Sequence, residues 1–225
     1  MKTYFDHIYG DQENLDLHIV RPHLDLENSS ETEALENGWY IYDDAWYQAR
    51  IVRLDLSLYH RTPRLIKNHE VIYRDYFKCS EEYEEVYNKF LDFKNFKVHY
   101  KLNYDLNRSA CIEVRKDNKL VAFTKLLKYD IGIESVFTVW DYAEPKLSIG
   151  SKIIDYEVDY AKYLGHRHLY IGPGYGEGGI YKSNFDGFEW WTGKEWSKDA
   201  VKYIQLCNRD SEVKTLEQLD KIYNA

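Results

Sequence analysis

The amino-acid sequence predicts an α+β fold, in which helices flank a mixed sheet and an α/β extension precedes that sheet. Three consecutive segments with strand character, Ala110–Arg115, Lys119–Tyr129 and Glu134–Trp140, are separated by short turns, which is typical of antiparallel strands. The third segment is followed by a loop, a helix and a further strand, His168–Ile171. A β-loop-α-β unit of this size predicts that its two strands are parallel and joined by a right-handed crossover.

The helix of this unit is predicted from the spacing of its apolar residues. One buried face is expected from Ile149, Ile153, Ile154, Val158, Ala161 and Leu164. Gly165 is expected to end the helix, and Gly172 follows the strand after it. Further along, the sequence predicts two short strands around Thr192-Gly193 and a last amphipathic helix near Ser211–Tyr223.

The N-terminal half predicts a hairpin, a basic segment and a helix. The hairpin is expected over Gly38–Tyr59, with its turn at Asp43-Asp44 and with apolar and polar residues alternating over 52–58. The segment His60–Lys78 is the most basic part of the chain, and a solvated surface is its simplest interpretation. Ser80 is expected to cap a helix that follows it. The core-facing stripe of that helix is predicted to be Tyr83, Val86, Tyr87, Phe90 and Leu91.

Two domains are predicted, an N-terminal α/β subdomain over residues 1–95 and a domain with the mixed sheet over residues 96–225. The chain has 225 residues, of which 44% are hydrophobic and 16% aromatic, so a sizeable core is expected. The net charge of −8 argues against a non-specific nucleic-acid binder, although a local basic patch stays open. Because no apolar stretch of membrane-spanning length and no signal-peptide pattern is found, we expect a cytoplasmic protein with no membrane partner.

Neither the cysteines nor the histidines predict a metal site. Cys79, Cys111 and Cys207 are odd in number and far apart, and none belongs to a C-x-x-C pair, so buried free thiols are expected. The spacing of His18 and His23 matches no common metal site. We therefore expect no metal and no cofactor.

The order of three antiparallel strands, a loop, a helix and a parallel strand is that of the acyl-CoA N-acyltransferase (GNAT-like) fold. In the acyl-CoA version, a loop of the form R/Q-x-x-G-x-G/A holds the pyrophosphate through main-chain N–H groups at a helix start. The corresponding loop here, Lys146–Ser151, retains one displaced glycine and no arginine. An acyl donor other than a CoA thioester is therefore expected.

Five short motifs keep their order and spacing between residues 119 and 196. They are Ser135-Val136-Phe137, Asp141, Leu147-Ser148-Ile149-Gly150, His168-Leu169-Tyr170-Ile171-Gly172 and Tyr181-Lys182-Ser183-Asn184-Phe185, with Glu189 following. In these motifs the chain resembles the arginyl- and leucyl-tRNA–protein transferases, which have an acyltransferase-like fold and use aminoacyl-tRNA. Ala34–Trp39 with Tyr47–Arg50 resembles the early hairpin of that family. The family's N-terminal cysteine cluster and the methionine before Tyr181-Lys182 are absent here.

The resemblance implies a catalytic domain that moves an amino acid from aminoacyl-tRNA to the amine of a protein or peptide. Since an aminoacyl ester is already activated, such an enzyme chiefly positions its reactants and stabilises an oxyanion. The resemblance implies catalytic roles for Ser135, Asp141, Tyr181 and Lys182. It implies substrate binding by Trp39, Tyr47, Glu134, Val136, Phe137, Ser148, Gly150, Tyr170, Gly172, Tyr175 and Asp186. It implies tRNA binding by Arg50, Arg61, Arg64 and Lys67.

Two alternatives stay open on the residues alone. An acetyl-CoA-dependent N-acetyltransferase would use the same fold despite the reduced pyrophosphate loop. A non-catalytic binding protein would have kept the fold and lost turnover, since the sequence contains no obvious general base.

Overall fold

The computed structural model describes residues 2–7, 20–25, 30–42, 45–95, 102 and 108–212. The strands are β1 (Lys2–His7), β2 (Val20–Asp25), β3 (Trp39–Tyr42), β4 (Ala45–Gln48), β5 (Ile51–Asp55), β6 (Glu70–Arg74), β7 (Ser109–Lys116), β8 (Lys119–Lys128), β9 (Gly132–Trp140), β10 (His168–Pro173), β11 (Phe188–Trp191) and β12 (Trp196–Ser197). The α-helices are α1 (Glu31–Glu36), α2 (Glu81–Lys94), α3 (Ile149–Tyr163), α4 (Gly176–Gly179) and α5 (Ala200–Glu212). Short 3-10 helices span Leu56–Leu58, Pro145–Leu147 and Ile180–Asn184.

The larger sheet of the structure is a mixed sheet. Its strand order is β12-β11-β5-β10-β9-β8-β7-β6, and a second sheet has the order β1-β2-β4-β3. Strands β6 to β9 pair antiparallel in sequence order, whereas β9 and β10 are parallel and α3 lies between them along the chain. The predicted α+β class, the mixed sheet and the β-loop-α-β unit are therefore confirmed.

The chain divides into two compact units. One consists of Met1–Asp55 together with Ile171–Ala225, and the other of Leu56–Tyr170. The predicted boundary between residues 95 and 96 falls inside the second range, beside residues 96–101, which lie outside the described residues. That boundary stays a prediction.

In the unit Leu56–Tyr170, α2 and the β7–β8 hairpin build one core cluster. Its rings include Tyr83 on α2 and Phe123 on β8, which meet edge to face with centroids 4.8 Å apart. The predicted stripe of α2 is buried except at Phe90, which is half-buried. The hairpin turns at Asp117 and Asn118, both with positive φ, as a tight hairpin turn requires.

Helix α3 has most of the buried residues that were predicted for it. Ile149, Ile153, Ile154, Val158 and Ala161 are buried. Leu164 is exposed, so that part of the prediction is wrong, because the residue lies beyond the last turn of the helix. Two carboxylates on α3, described below, are buried as well.

In the other unit, β3 and β4 form the predicted antiparallel hairpin, whose turn at residues 43–44 lies outside the described residues. The predicted alternation over 52–58 is wrong. Strand β5 ends at Asp55 and is buried on both faces, because it lies inside the mixed sheet between β10 and β11. The chain then enters the 3-10 helix, where Leu58 is exposed. The predicted last helix lies mostly outside the described residues, and α5 ends where it was expected to begin.

Candidate functional site

Strand β9 loses one of its two neighbouring strands partway along its length. Strand β10 pairs with it from Gly132 to Glu134, whereas β8 stays paired with it as far as Trp140. On the side that faces away from β8, residues 135–140 are therefore not paired with a strand of the described chain. This open edge offers main-chain N–H and C=O groups to a ligand.

A β-bulge lies at the start of the open edge. Leu126 of β8 is opposite Ser135, but the preceding residue, Lys125, is opposite Phe137. Val136 is therefore an extra residue in β9. A bulge leaves its extra residue out of the hydrogen-bonded ladder, and bulges are frequent beside active sites for that reason. The Phe137 ring packs towards the α2 core, so a role of this residue in binding would use its main chain.

The bulge also explains how two hydroxyls reach one carboxylate. Side chains three residues apart on a regular strand face opposite sides, but here Ser135 and Thr138 both contact Oε1 of Glu157, at 2.9 and 3.4 Å. The hydroxyl of Thr124 on β8 donates to the same oxygen at 2.6 Å. Glu157 lies on α3 and is fully buried. We call these four residues the Glu157 cluster.

The paired end of β9 is an interior region. Glu134 is buried, and its Oε2 accepts a hydrogen bond from the Tyr129 hydroxyl at 2.8 Å. Tyr170 of β10 is also buried, and a Cβ at Gly132 would come within 3.0 Å of its ring. Glu134 and Tyr170, two of the predicted substrate-binding residues, thus lie where β9 and β10 are paired with each other.

A groove of about 390 Å³ lies at the other end of β9. Asp141 is at its edge, and its Oδ1 accepts the Ala143 N–H at 3.1 Å. Ser148, with φ of 52°, precedes α3, and a Cβ at Gly150 would come within 2.5 Å of the Trp140 ring. The glycine of the reduced loop is therefore explained by packing against that ring. The groove is lined by His69, Lys116, Asp117, Lys119, Val121, Asp141, Ala143, Glu144 and Ile149.

The basic segment lies along the first turns of α3. Nε of Arg64 is 2.5 Å from Oδ2 of Asp155, and Oδ1 of the same carboxylate accepts the Tyr59 hydroxyl at 2.6 Å. Because Asp155 is fully buried, this contact ties Arg64 to the helix. Arg61 and Lys67 are exposed and remain better placed for an external partner.

In the other unit, Lys182 reaches the carboxyl end of β10. Its buried Nζ donates to the carbonyl oxygens of residues 171–173 at 2.5, 3.2 and 2.7 Å. Gly172 lies among them with φ of 75°, a conformation that favours glycine. These contacts favour a role for Lys182 in holding the end of this strand. Tyr181 is exposed and Asp186 is half-buried.

Arg50 is also held internally. Its guanidinium is 2.5 Å from Asp210 and lies over the Tyr175 ring, 4.8 Å from the centroid. Burial alone would lower the pKa of Arg50, but Asp210 outweighs burial and the pKa is raised. In the same unit, Trp39 is buried and Tyr47 is half-buried.

The predicted residues separate into groups. Ser135, Val136 and Phe137 share the start of the open edge, and Asp141, Ser148 and Gly150 lie beyond its far end. The assigned roles stay predictions. Sequence reasoning missed Glu157, although an acid among the apolar residues of α3 and hydroxyls on two adjacent strands are signals of such a cluster.

Within the described residues, no group of three or more His, Cys, Asp and Glu side chains is arranged to hold a metal ion. Cys111 and Cys207 are buried free thiols, as predicted, whereas Cys79 is a free thiol that is only half-buried, so the prediction of burial is wrong for this residue. No helix in the part of the chain that the structure describes is long and apolar enough to cross a membrane.

Comparison with known proteins identifies the family. Residues 68–190, more than half of the chain, match the family "Arginine-tRNA-protein transferase, C terminus". The chain belongs to this family, which confirms the resemblance carried by the motifs.

The curated relatives agree with this assignment. An aspartate/glutamate leucyltransferase from Hahella chejuensis is 24% identical over 119 residues, covering 52% of this chain and 49% of the relative. One from Acinetobacter baumannii (strain ATCC 17978) is 31% identical over 80 residues, covering 36% of this chain and 28% of the relative. The match thus spans about half of the first relative and less of the second. Among solved structures, a C-terminal DUF2156 domain from Agrobacterium fabrum has a TM-score of 0.44 at 13% identity, covering 56% of this chain and 46% of that chain.

Proposed function

We propose that this chain transfers an amino acid from an aminoacyl-tRNA to an amine, such as the N-terminus of a protein or peptide, and that it does so in the cytoplasm. Membership of the arginine-tRNA-protein transferase family supports the donor class. The relatives named aspartate/glutamate leucyltransferase support the same chemistry. Arginine and leucine are therefore the amino acids to test first.

The reaction is the aminolysis of an ester. The acceptor nitrogen forms a bond to the carbonyl carbon, the bond from that carbon to the 3′-oxygen breaks, and the oxygen leaves with a proton that the amine has lost. A positioned group that accepts this proton contributes typically about 10²–10⁴-fold to the rate. Donors directed at the developing oxyanion contribute a similar or larger factor.

The observation that carries the proposal is the bulge at Val136 on the open edge of β9. The open edge lies within the residues that match the family. The main-chain N–H groups at the bulge are suited to the carbonyl oxygen of the donor. The Ser135 hydroxyl donates to Glu157, so its lone pairs are available to the attacking amine. In this arrangement Ser135 relays the proton of the amine to the Glu157 carboxylate, and the same path returns a proton to the 3′-oxygen as it leaves.

The exposed basic residues supply contacts for the RNA. Arg61 and Lys67 are exposed in the same compact unit as β9, and phosphate contacts from such side chains position a nucleic acid without reading its sequence. Of the four residues predicted to bind tRNA, Arg50 and Arg64 are less suitable, because their guanidinium groups contact Asp210 and Asp155.

A parallel donor assay tests the proposal. The chain is incubated with radiolabelled arginyl-tRNA, leucyl-tRNA or acetyl-CoA, each with peptides that differ only in their first residue. We expect label to move from one of the tRNAs to a peptide. Transfer from acetyl-CoA alone would instead identify an acetyltransferase, and tRNA binding without any transfer would identify a binding protein.

A matched pair of variants tests the bulge itself. Val136→Pro removes the main-chain N–H at the bulge, whereas Val136→Ala keeps it and removes only methyl groups. We expect transfer to fall about 100-fold or more in Val136→Pro and by much less in Val136→Ala. The melting temperature of each variant must show a folded protein. Equal activity of the two variants would show that the main-chain N–H of Val136 does not contribute to transfer.

A further inference from the structure

Four aromatic rings pack against one another at the C-terminal ends of α2 and β9. Phe93 lies face to face with Tyr142, with centroids 3.6 Å apart and an interplanar angle of 14°. Phe90 and Trp140 pack against Tyr142 at 5.9 and 4.7 Å. We call these four residues the aromatic platform. The Phe93 ring is 62% exposed, so much of its surface is accessible to a partner.

Tyr142 is held in an unfavourable backbone conformation. Its φ is 56°, and a bulky residue at positive φ is a genuine outlier. Strain of this kind persists only where the surroundings enforce it, and it is concentrated at functional sites. The Tyr142 hydroxyl is shielded from solvent and has no hydrogen-bond partner among the described residues. Buried polar atoms usually have partners, so this hydroxyl is a second sign of a site that a ligand completes.

Cations lie beside the platform. Nζ of Lys94 is 5.6 Å from the centroid of the Tyr142 ring. Asp141 and Ala143, the residues on either side of Tyr142, line the groove, and its lining includes Lys116 and Lys119. The lining also has three acids, Asp117, Asp141 and Glu144, and Glu144 and Lys116 neutralise each other in an ion pair, so the cation next to the rings themselves is Lys94. An exposed ring surface next to cations is the combination that single-stranded nucleic acid requires, because bases stack while phosphates meet positive charge.

We propose that the aromatic platform stacks a base of the single-stranded 3′ end of the aminoacyl-tRNA, with Phe93 as the stacking surface. This inference rests on the proposed function, because it assigns a subsite to that RNA donor. A purely apolar partner would not use the flanking lysines.

Binding of short RNAs tests the platform directly. The probe is a fluorescently labelled single-stranded RNA hexanucleotide ending in adenosine, and a second probe has an abasic sugar in place of that terminal base. We expect the abasic probe to bind about 5- to 150-fold more weakly than the adenosine probe, and Phe93→Ala to lose a similar factor for the adenosine probe. Phe93→Trp retains a stacking surface and should bind like the unaltered chain. Equal binding of the two probes would overturn the proposal.

A control variant separates the platform from general surface effects. Tyr163 on α3 is 84% exposed and belongs to the same compact unit, so Tyr163→Ala removes an exposed ring at another place. This variant should bind both probes like the unaltered chain. If Tyr163→Ala weakens binding as much as Phe93→Ala does, the Phe93 effect is not specific and the proposal fails.

Transfer kinetics distinguish failure of the platform from failure of the proposed function. If transfer occurs but Phe93→Ala leaves the KM for aminoacyl-tRNA unchanged, the platform is wrong and the function stands. If no amino acid is transferred but base-dependent RNA binding requires Phe93, the platform stands and the function is wrong. A rise of KM for the peptide acceptor alone would assign Phe93 to the acceptor and overturn the proposal.

Discussion

Two buried carboxylates lie two residues apart on α3, and they meet different kinds of partner. Asp155 contacts the guanidinium of Arg64 at 2.5 Å and the Tyr59 hydroxyl at 2.6 Å. Glu157 accepts hydrogen bonds from hydroxyls on β8 and β9. Two helical positions apart correspond to a rotation of about 200°, so the two side chains leave the helix on nearly opposite sides. Helix α3 is therefore buried on both sides.

This difference in partners indicates a stabilising role for Asp155 and a candidate catalytic role for Glu157. The Asp155 carboxylate is paired with a guanidinium, and this pair ties the segment before β6 to the helix. A carboxylate that accepts from hydroxyls can receive a proton through them, and the Ser135 hydroxyl lies at the open edge of β9. Asp155 is thus expected to affect stability most, and Glu157 to affect transfer most.

The largest loss of stability is expected for Asp155→Ala. The change leaves the Arg64 guanidinium and the buried Tyr59 hydroxyl without this acceptor. Hydrogen bonds to a charged group each contribute about 1.5–3 kcal/mol, so we expect the free energy of unfolding to fall by about 3 kcal/mol. The ion pair itself adds little, because the Arg64 side chain is 45% exposed. Urea denaturation measures this loss. The control is Asp159→Ala, an exposed carboxylate one turn further along the same helix, which we expect to cost less than about 1 kcal/mol. Equal losses in the two variants would contradict the interpretation of Asp155.

A buried cation in the other unit extends the comparison. Lys182 donates to three main-chain carbonyl oxygens at the end of β10. Lys182→Met keeps much of the side-chain volume but leaves these oxygens without the ammonium, so we expect a loss of about 2–3 kcal/mol. Denaturation of Lys194→Met, an exposed lysine of the same unit, is the control and should show almost no change. A stable Lys182→Met that fails only in transfer would instead support the catalytic role predicted from the sequence.

Much of the fold could be predicted because short-range patterns determine it. The strands of the central hairpins and the apolar stripes of α2 and α3 follow from periodicities of two and 3.6 residues. The prediction failed at β5, because both faces of this strand are buried and the alternation of apolar and polar residues does not correspond to a buried and an exposed face. The periodicity of apolar residues predicts which face of a strand is buried, but it does not show whether the strand lies in the centre of a sheet, where both faces are buried.

The candidate site could be predicted only in part, because its partners are distant in the chain. The motif Ser135–Phe137 was singled out through a family resemblance, and the structure has a bulge at this motif that the sequence did not predict. Tyr59 and Asp155, in contrast, are 96 residues apart, and no local pattern connects them. Charged residues on a helix are expected to face solvent, so the burial of Asp155 and Glu157 required the folded structure. The bulge itself depends on the register of two strands.

A third buried carboxylate gives a pH-dependent test. Burial alone would raise the pKa of Glu113 on β7, but hydrogen bonds from Arg74, Tyr83 and Arg115 outweigh burial and lower that pKa. A carboxyl with a lowered pKa contributes stability above its unfolded pKa, and this contribution is lost as the pH falls through the folded pKa. We expect Glu113→Gln to cost about 1–2 kcal/mol at pH 7. The difference should shrink as the pH falls below about 4.5, the range of an unfolded glutamate.

Unfolding of both proteins by urea between pH 7 and pH 3 measures this difference. Glu85→Gln is the control, because Glu85 is an exposed member of a surface ion pair. Its effect should be small at every pH. A constant difference between Glu113→Gln and the unaltered chain over the whole range would show that the charge of Glu113 does not stabilise the fold.

The smallest loss of stability, with the most specific effect on activity, is expected for Glu157→Gln. A glutamine at this position still accepts hydrogen bonds from Thr124 and Ser135, so the free energy of unfolding should change by about 1 kcal/mol or less. The amide cannot take up a proton, however, so transfer should fall about 100-fold or more if Ser135 relays its proton to this residue. Single-turnover transfer at saturating aminoacyl-tRNA measures the step directly, with Asp159→Asn as the matched control. Full activity of Glu157→Gln would show that Glu157, like Asp155, has only a structural role.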